Sequence, residues 1–144
     1  MPNSPLVQFL LILVLAGCGF GVWKGDIPER LGALIILLNA ALSVLLGHVL
    51  HSELSYLAGL VIDGLTALAF LAMTVSSGRP WLGAAMLIYA GQFALRSYYL
   101  VMARPRDQMH AIVNNANFMA LTGCIVIGTI IAWGQRRRRA SRTT

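Results

Sequence analysis

Residues 57–75 read LAGLVIDGLTALAFLAMTV. The stretch carries a single charge, Asp63, and its polar and apolar positions do not alternate. A helix rises about 1.5 Å per residue, and a hydrocarbon core about 30 Å thick takes about 20 apolar residues. The stretch therefore reads as a helix of membrane-spanning length. A barrel strand would alternate over about ten residues. Working outward, Leu6–Trp23, Leu31–Leu50, Trp81–Met102 and Ile112–Trp133 read the same way. The expected fold is all-α, an integral membrane bundle of five transmembrane helices with short loops. It would form one domain over residues 1–134, followed by a basic cytoplasmic tail at 135–144.

Composition excludes the main alternatives. Of 144 residues, 58% are hydrophobic and 11% charged, with a mean hydropathy of +0.74. A soluble domain carries about 25% charged residues. The net charge of +6 is concentrated, with five of the eleven basic residues at Arg136, Arg137, Arg138, Arg139 and Arg142. An arginine run directly after an apolar span resists translocation and attracts anionic headgroups. These arginines are therefore read as membrane-surface residues, and nucleic acid is not an expected partner. The expected partners are the lipid bilayer and a second membrane protein or another copy of this chain.

The gaps between spans punctuate helices. Asp26-Ile27-Pro28-Glu29 has capping-box spacing, with proline in the first turn. Ser76-Ser77-Gly78-Arg79-Pro80 is a tight turn, and Arg104-Pro105-Arg106-Asp107 breaks spans four and five. Short connections make consecutive helices antiparallel neighbours. With the arginine tail in the cytoplasm, Lys24, Arg30, Arg79 and the tail arginines lie inside, while Arg104 and Arg106 lie outside. Trp23, Trp81 and Trp133 fall at inner ends, and Tyr56, Tyr98 and Tyr99 at or near outer ends, as interfacial belts would place them. The expected location is a bacterial inner membrane, N-terminus periplasmic and C-terminus cytoplasmic.

Leu15-Ala16-Gly17-Cys18 has the form of a bacterial lipobox. No Lys or Arg precedes the apolar run, although a signal peptide wants one, so a retained helix is the favoured reading. Gly17, Gly19 and Gly21 offer it a small-residue packing face. Cys18 and Cys124 form no C-x-x-C pair and read as buried thiols.

Polar side chains inside spans are costly and need partners. Asn39, Asp63, Gln92, Arg96, Asn114, Asn115 and Asn117 are the candidates. Asp63 and Arg96 each lie six residues from an outer span end, roughly 9 Å deep, so the two charges can meet. Asn117 falls near that level, with Asn114 above it. Tyr89, Gln92, Arg96 and Tyr99 share one helix face. Asp63, Gln92, Arg96, Asn114 and Asn117 are therefore ligand or ion-pair candidates. One reading is a buried ion pair that fixes helix register. A second is a polar pocket opening outward. In a third, Arg96 snorkels to the interface and leaves Asp63 alone.

His48, His51 and His110 also gather toward the outer side. They are weak metal candidates, because no H-E-x-x-H or His-rich tract accompanies them. No cofactor is expected. No P-loop or G-x-S-x-G is present, so catalysis is not expected.

The stretch Trp23–Arg30, together with Val61-Ile62-Asp63-Gly64-Leu65, resembles a set of small uncharacterised polytopic inner-membrane proteins of Gram-negative bacteria. The resemblance covers the first three spans. It implies a bacterial inner membrane and a shared aspartate in span three, and no catalytic residue. The leading functional expectation is a small accessory or scaffold subunit that packs with itself or with a larger membrane partner. The alternative is a small oligomeric transporter or channel using the polar cluster of Asp63, Arg96 and Asn117 in the outer half of the bundle.

Overall fold

The computed structural model describes residues 5–49, 52–103 and 108–141. His51, Arg104, Arg106, Asp107 and Arg142 lie outside the described residues, as do the side chains of Glu53 and Arg139. Five helices account for almost all of the described chain. They are α1 (Pro5–Lys24), α2 (Ile27–Val49), α3 (Ser52–Ser77), α4 (Pro80–Val101) and α5 (Gln108–Ala140). No strand occurs among the described residues.

The helix ends follow local chemistry. Gly25 N–H donates to the Gly21 carbonyl (2.9 Å), closing α1, and Arg30 N–H donates to the Asp26 carbonyl (3.0 Å), opening α2. Asp26 N–H also donates to Glu29 Oε2 (3.0 Å), which is half of a capping box. At the next turn Gly78 takes φ +63°, a left-handed geometry that glycine adopts without a Cβ clash. Pro80 then starts α4 where no N–H is needed. Residues 135–140, expected as a tail, continue α5 as helix.

Each helix packs on the next in sequence, and α5 packs back on α1, so the five close a ring. The seam between α1 and α5 is built by small residues. A Cβ placed on Gly17 would stand 2.8 Å from Thr122 Cγ2, and one on Gly21 would stand 3.2 Å from Ile125 Cδ1. Gly19 faces open space instead. Since Gly17 meets Thr122 and the Lys24 carbonyl meets Arg136 further along, α1 and α5 run parallel.

The surface is apolar on every helix. Exposed large side chains include Ile12, Leu38, Leu65, Leu87 and Ile130, one from each helix. The buried set, by contrast, includes Glu29, Asn39, Asp63, Thr66 and Gln92. A soluble monomer rarely exposes contiguous apolar patches larger than a few hundred Å².

Three helical segments are long and apolar enough to cross a membrane: Ile27–Leu46, Leu54–Ser77 and Gln108–Arg138. The sequence reading expected five. The first helix supplies only the shorter apolar segment Gln8–Lys24. Helix α4 falls short because Tyr89, Gln92, Arg96, Ser97, Tyr98 and Tyr99 dilute its apolar character.

The apolar core sits at the end of the ring that carries the tryptophans, and in its middle. Val14, Cys18, Ala33, Ile36, Phe70, Leu82 and Ile125 pack there with Trp81 and Tyr89. The Phe70 ring stacks on Tyr89 at 5.7 Å and meets Trp81 edge-on at 6.5 Å. Trp81 is thus a core residue, unlike the exposed Trp23. It lies in a slot between Gly32 of α2 and Gly128 of α5.

Candidate functional site

Beyond this core, toward the end of the ring marked by Tyr56 and Tyr99, the helices enclose a cavity of about 450 Å³. Its polar wall collects Asn39 from α2, Asp63 from α3, Gln92 and Arg96 from α4, and Asn114 and Asn117 from α5. Asn115 and Tyr89 also reach it. Helix α1 contributes mainly apolar lining through Leu10, Leu11 and Val14.

Two hydrogen-bond systems organise the polar wall. In the first, Asn39 Nδ2 donates to Thr66 Oγ1 (3.0 Å) and approaches Asp63 Oδ1 (3.4 Å). Thr66 in turn donates to the Ile62 carbonyl one turn back (2.7 Å). Arg96 Nε lies 3.1 Å from Asp63 Oδ2. That separation is an ion-pair distance, but no hydrogen bond is aligned on this oxygen. The guanidinium fits because α3 has Gly59 beside it, where a Cβ would overlap Arg96 Nη1. Tyr56 OH donates to the Arg96 carbonyl (2.7 Å), tying α3 to α4. In the second system, Gln92 Nε2 donates to Asn114 Oδ1 (2.6 Å) while its Oε1 accepts from Asn117 Nδ2 (2.5 Å). One glutamine thereby fixes the register of α4 against α5.

The Asp63–Arg96 contact has a direct test. Asp63→Asn and Arg96→Gln should each lower unfolding stability. Charges this close in a low-dielectric interior couple by about 0.5–3 kcal/mol. The double mutant should therefore lose less than the sum of the singles by that amount. Strict additivity would mean that the two charges do not interact.

The remaining candidates lie elsewhere. His48 is exposed, with Nδ1 2.8 Å from the Val44 carbonyl. His110 packs edge-on against Tyr99 at 5.1 Å. Among the described residues no three His, Cys, Asp or Glu side chains gather as a metal site. Arg136 contacts the protein itself: its Nε is 3.1 Å from Asp26 Oδ1, and its Nη2 donates to the Lys24 carbonyl. Arg137 covers the Trp133 ring at 4.5 Å, and the side chain of Arg138 is exposed.

A second polar cluster, at the opposite end, is not evident from the sequence. Glu29 is completely buried. Its Oε1 accepts from Arg79 Nη1 (2.7 Å) and Trp81 Nε1 (3.1 Å). Arg79 Nη2 reaches Asp26 Oδ2 (3.2 Å). The α1–α2 connection, the α3–α4 turn and the end of α5 are thus locked together by two carboxylates, two arginines and an indole. Capping-box spacing explained Asp26 and Glu29 locally and drew attention away from their long-range partners. The available signal was that Glu29, Arg79 and Trp81 all fall at the same end of their spans.

Comparison with known protein families, curated proteins and solved structures gives no match to this chain.

Proposed function

We propose that this chain is a five-span protein of a bacterial inner membrane that takes up a small ligand into its cavity from the outer side, as a small transporter does. In this reading the N-terminus is periplasmic and the C-terminus cytoplasmic, so the cavity faces outward and the Glu29–Arg79 lock faces inward. Helix α1 is read as a short span. Helix α4 is read as a span whose polar residues are sheltered by its neighbours.

The observation that carries the proposal is convergence. Ten polar or charged side chains, drawn from all five helices, line one cavity of about 450 Å³. This volume lies within the range of about 300–1,000 Å³ typical of ligand sites. Polar groups at membrane depth carry a cost and mark pathways or binding sites. A purely structural pairing would not need the space in front of it.

The accessory-subunit reading has weaker support. It relied on minimal loops, small-residue helix faces and the absence of a catalytic motif. On the α1 face Gly17 and Gly21 are occupied by α5, with Ala33 of α2 also against Gly21, while Gly19 faces open space.

Mild extraction followed by native mass spectrometry of the intact particle tests the choice. The expected result is a particle built of this chain alone that retains a small molecule, which is lost in Gln92→Leu. A stoichiometric foreign membrane polypeptide, with no small molecule retained, would replace the proposal with the accessory reading.

A further inference from the structure

We infer that the cavity takes an uncharged amphiphile, with a carbonyl- or hydroxyl-bearing head and an apolar chain, that enters sideways between α1 and α2. The inference rests on the reading of the cavity as a ligand site and adds the ligand's chemistry and route.

The lining is divided in character. Asn39, Gln92, Asn114 and Asn117 hold one side with the Asp63–Arg96 pair, while Leu10, Val14, Phe118 and Leu121 are apolar. A wholly polar solute would leave the apolar part unfilled. A wholly apolar one would strip water from the amides without replacing its hydrogen bonds, which is costly. A molecule with one polar end matches both.

Charge balance selects the head. Asp63 and Arg96 stand 3.1 Å apart and cancel. The cavity's other polar side chains are carboxamides and hydroxyls. An ionic head would enter with no spare counter-charge, and an unpaired charge away from water is strongly disfavoured. Carboxamides both donate and accept hydrogen bonds, so they suit carbonyl and hydroxyl groups.

The rim gives the route. Leu11 of α1 and Val44 of α2 both line the cavity and are 50% and 56% exposed. Near their connection α1 and α2 are in close contact, since a Cβ on Gly21 would lie 3.5 Å from Ala33 Cβ. The opening therefore lies further along the pair, toward the tyrosine end. Its edges carry Leu11 and Val44 with Gln8 and Ser43 beside them, and the exposed Leu15 and Leu45 adjoin them on the same two helices. A portal of this kind admits a molecule already dissolved in hydrocarbon.

The test uses the full-length protein in membranes and a photoreactive monoacylglycerol carrying a diazirine on its chain. Labelling should be saturable and fall on α1, α2 and α5 peptides that line the cavity. Unlabelled 1-monolauroylglycerol should compete at least about tenfold better than laurate or dodecyltrimethylammonium, and glycerol should not compete. Val44→Trp should suppress labelling, whereas Leu34→Trp, on an exposed part of α2 outside the cavity lining, should not.

Competition by laurate equal to that of the monoglyceride would overturn the uncharged head. Competition by glycerol would overturn the amphiphile. Labelling that is unsaturable, spread over all exposed faces and indifferent to Val44→Trp would overturn both the amphiphile and its lateral entry. In each of these cases a small molecule retained in the native particle would leave the ligand-site reading standing, while an empty cavity in the native particle would remove both.

Discussion

Arg79→Ala should destabilise the protein by about 3 kcal/mol in detergent unfolding, near the lower end of the range of about 3–5 kcal/mol for breaking a buried ion pair from one side. Glu29 is completely buried, and Arg79 is its only cationic partner among the described residues. Removing the guanidinium leaves a carboxylate held by two neutral donors, the Trp81 indole and the Asp26 amide. The lower end is expected because the Arg79 side chain keeps 26% of its surface exposed, so less desolvation has been offset. Glu29→Gln in the Arg79→Ala background should restore part of the loss, since the amide oxygen still accepts from the indole and no buried charge remains. The check is a thermal or denaturant series on the two single mutants and the double mutant. Two single losses that simply add would show that the buried carboxylate does not depend on Arg79.

Gly128→Ala should cost about 2 kcal/mol, within the range of about 1–3 kcal/mol for an overpacked core, although it adds only a methyl group. The new Cβ would stand 2.7–2.8 Å from three atoms of the Trp81 indole. The ring cannot retreat, because a Cβ on Gly32 would already lie 2.5 Å from its far edge. Rotating it away would break its bond to Glu29 and its contact with Phe70. Gly123 of the same helix is the control, since nothing lies within 4 Å of a Cβ placed there. Gly123→Ala should be neutral or stabilising by up to about 1 kcal/mol, from helix propensity alone. Equal effects at the two positions would mean that the indole slot is not tight.

Much of the arrangement of the polar wall could be reached from residue counting. Asp63, Arg96 and Asn117 share a depth because helical rise is constant, and short connections turn each helix back beside the last. The Asp63–Arg96 contact was among the readings that depth offered; which partners the amides take was not legible. That Asn39 turns to Thr66, or that Gln92 bridges two asparagines, depends on helix rotation, which apolar periodicity leaves open when every face is apolar. Helix α4 shows the reverse difficulty. Its polar face made it a weak span by composition, and that face is the one buried among neighbours. Trp81 was misassigned to the interfacial belt because its place near a span end says nothing about which way it points. Gly32 and Gly128, the residues that make room for it, lie 49 and 47 positions away in sequence.

The parallel seam between α1 and α5 bears on how the protein is made. A ring with an odd number of alternating helices must join its first and last members side by side, and a chain is synthesised from the N-terminus onward. Until α5 emerges, Gly17 faces no helix, Gly21 meets only Ala33 of α2, and Gln92 lacks both of its asparagines. Helix α5 is therefore the keystone that closes the ring.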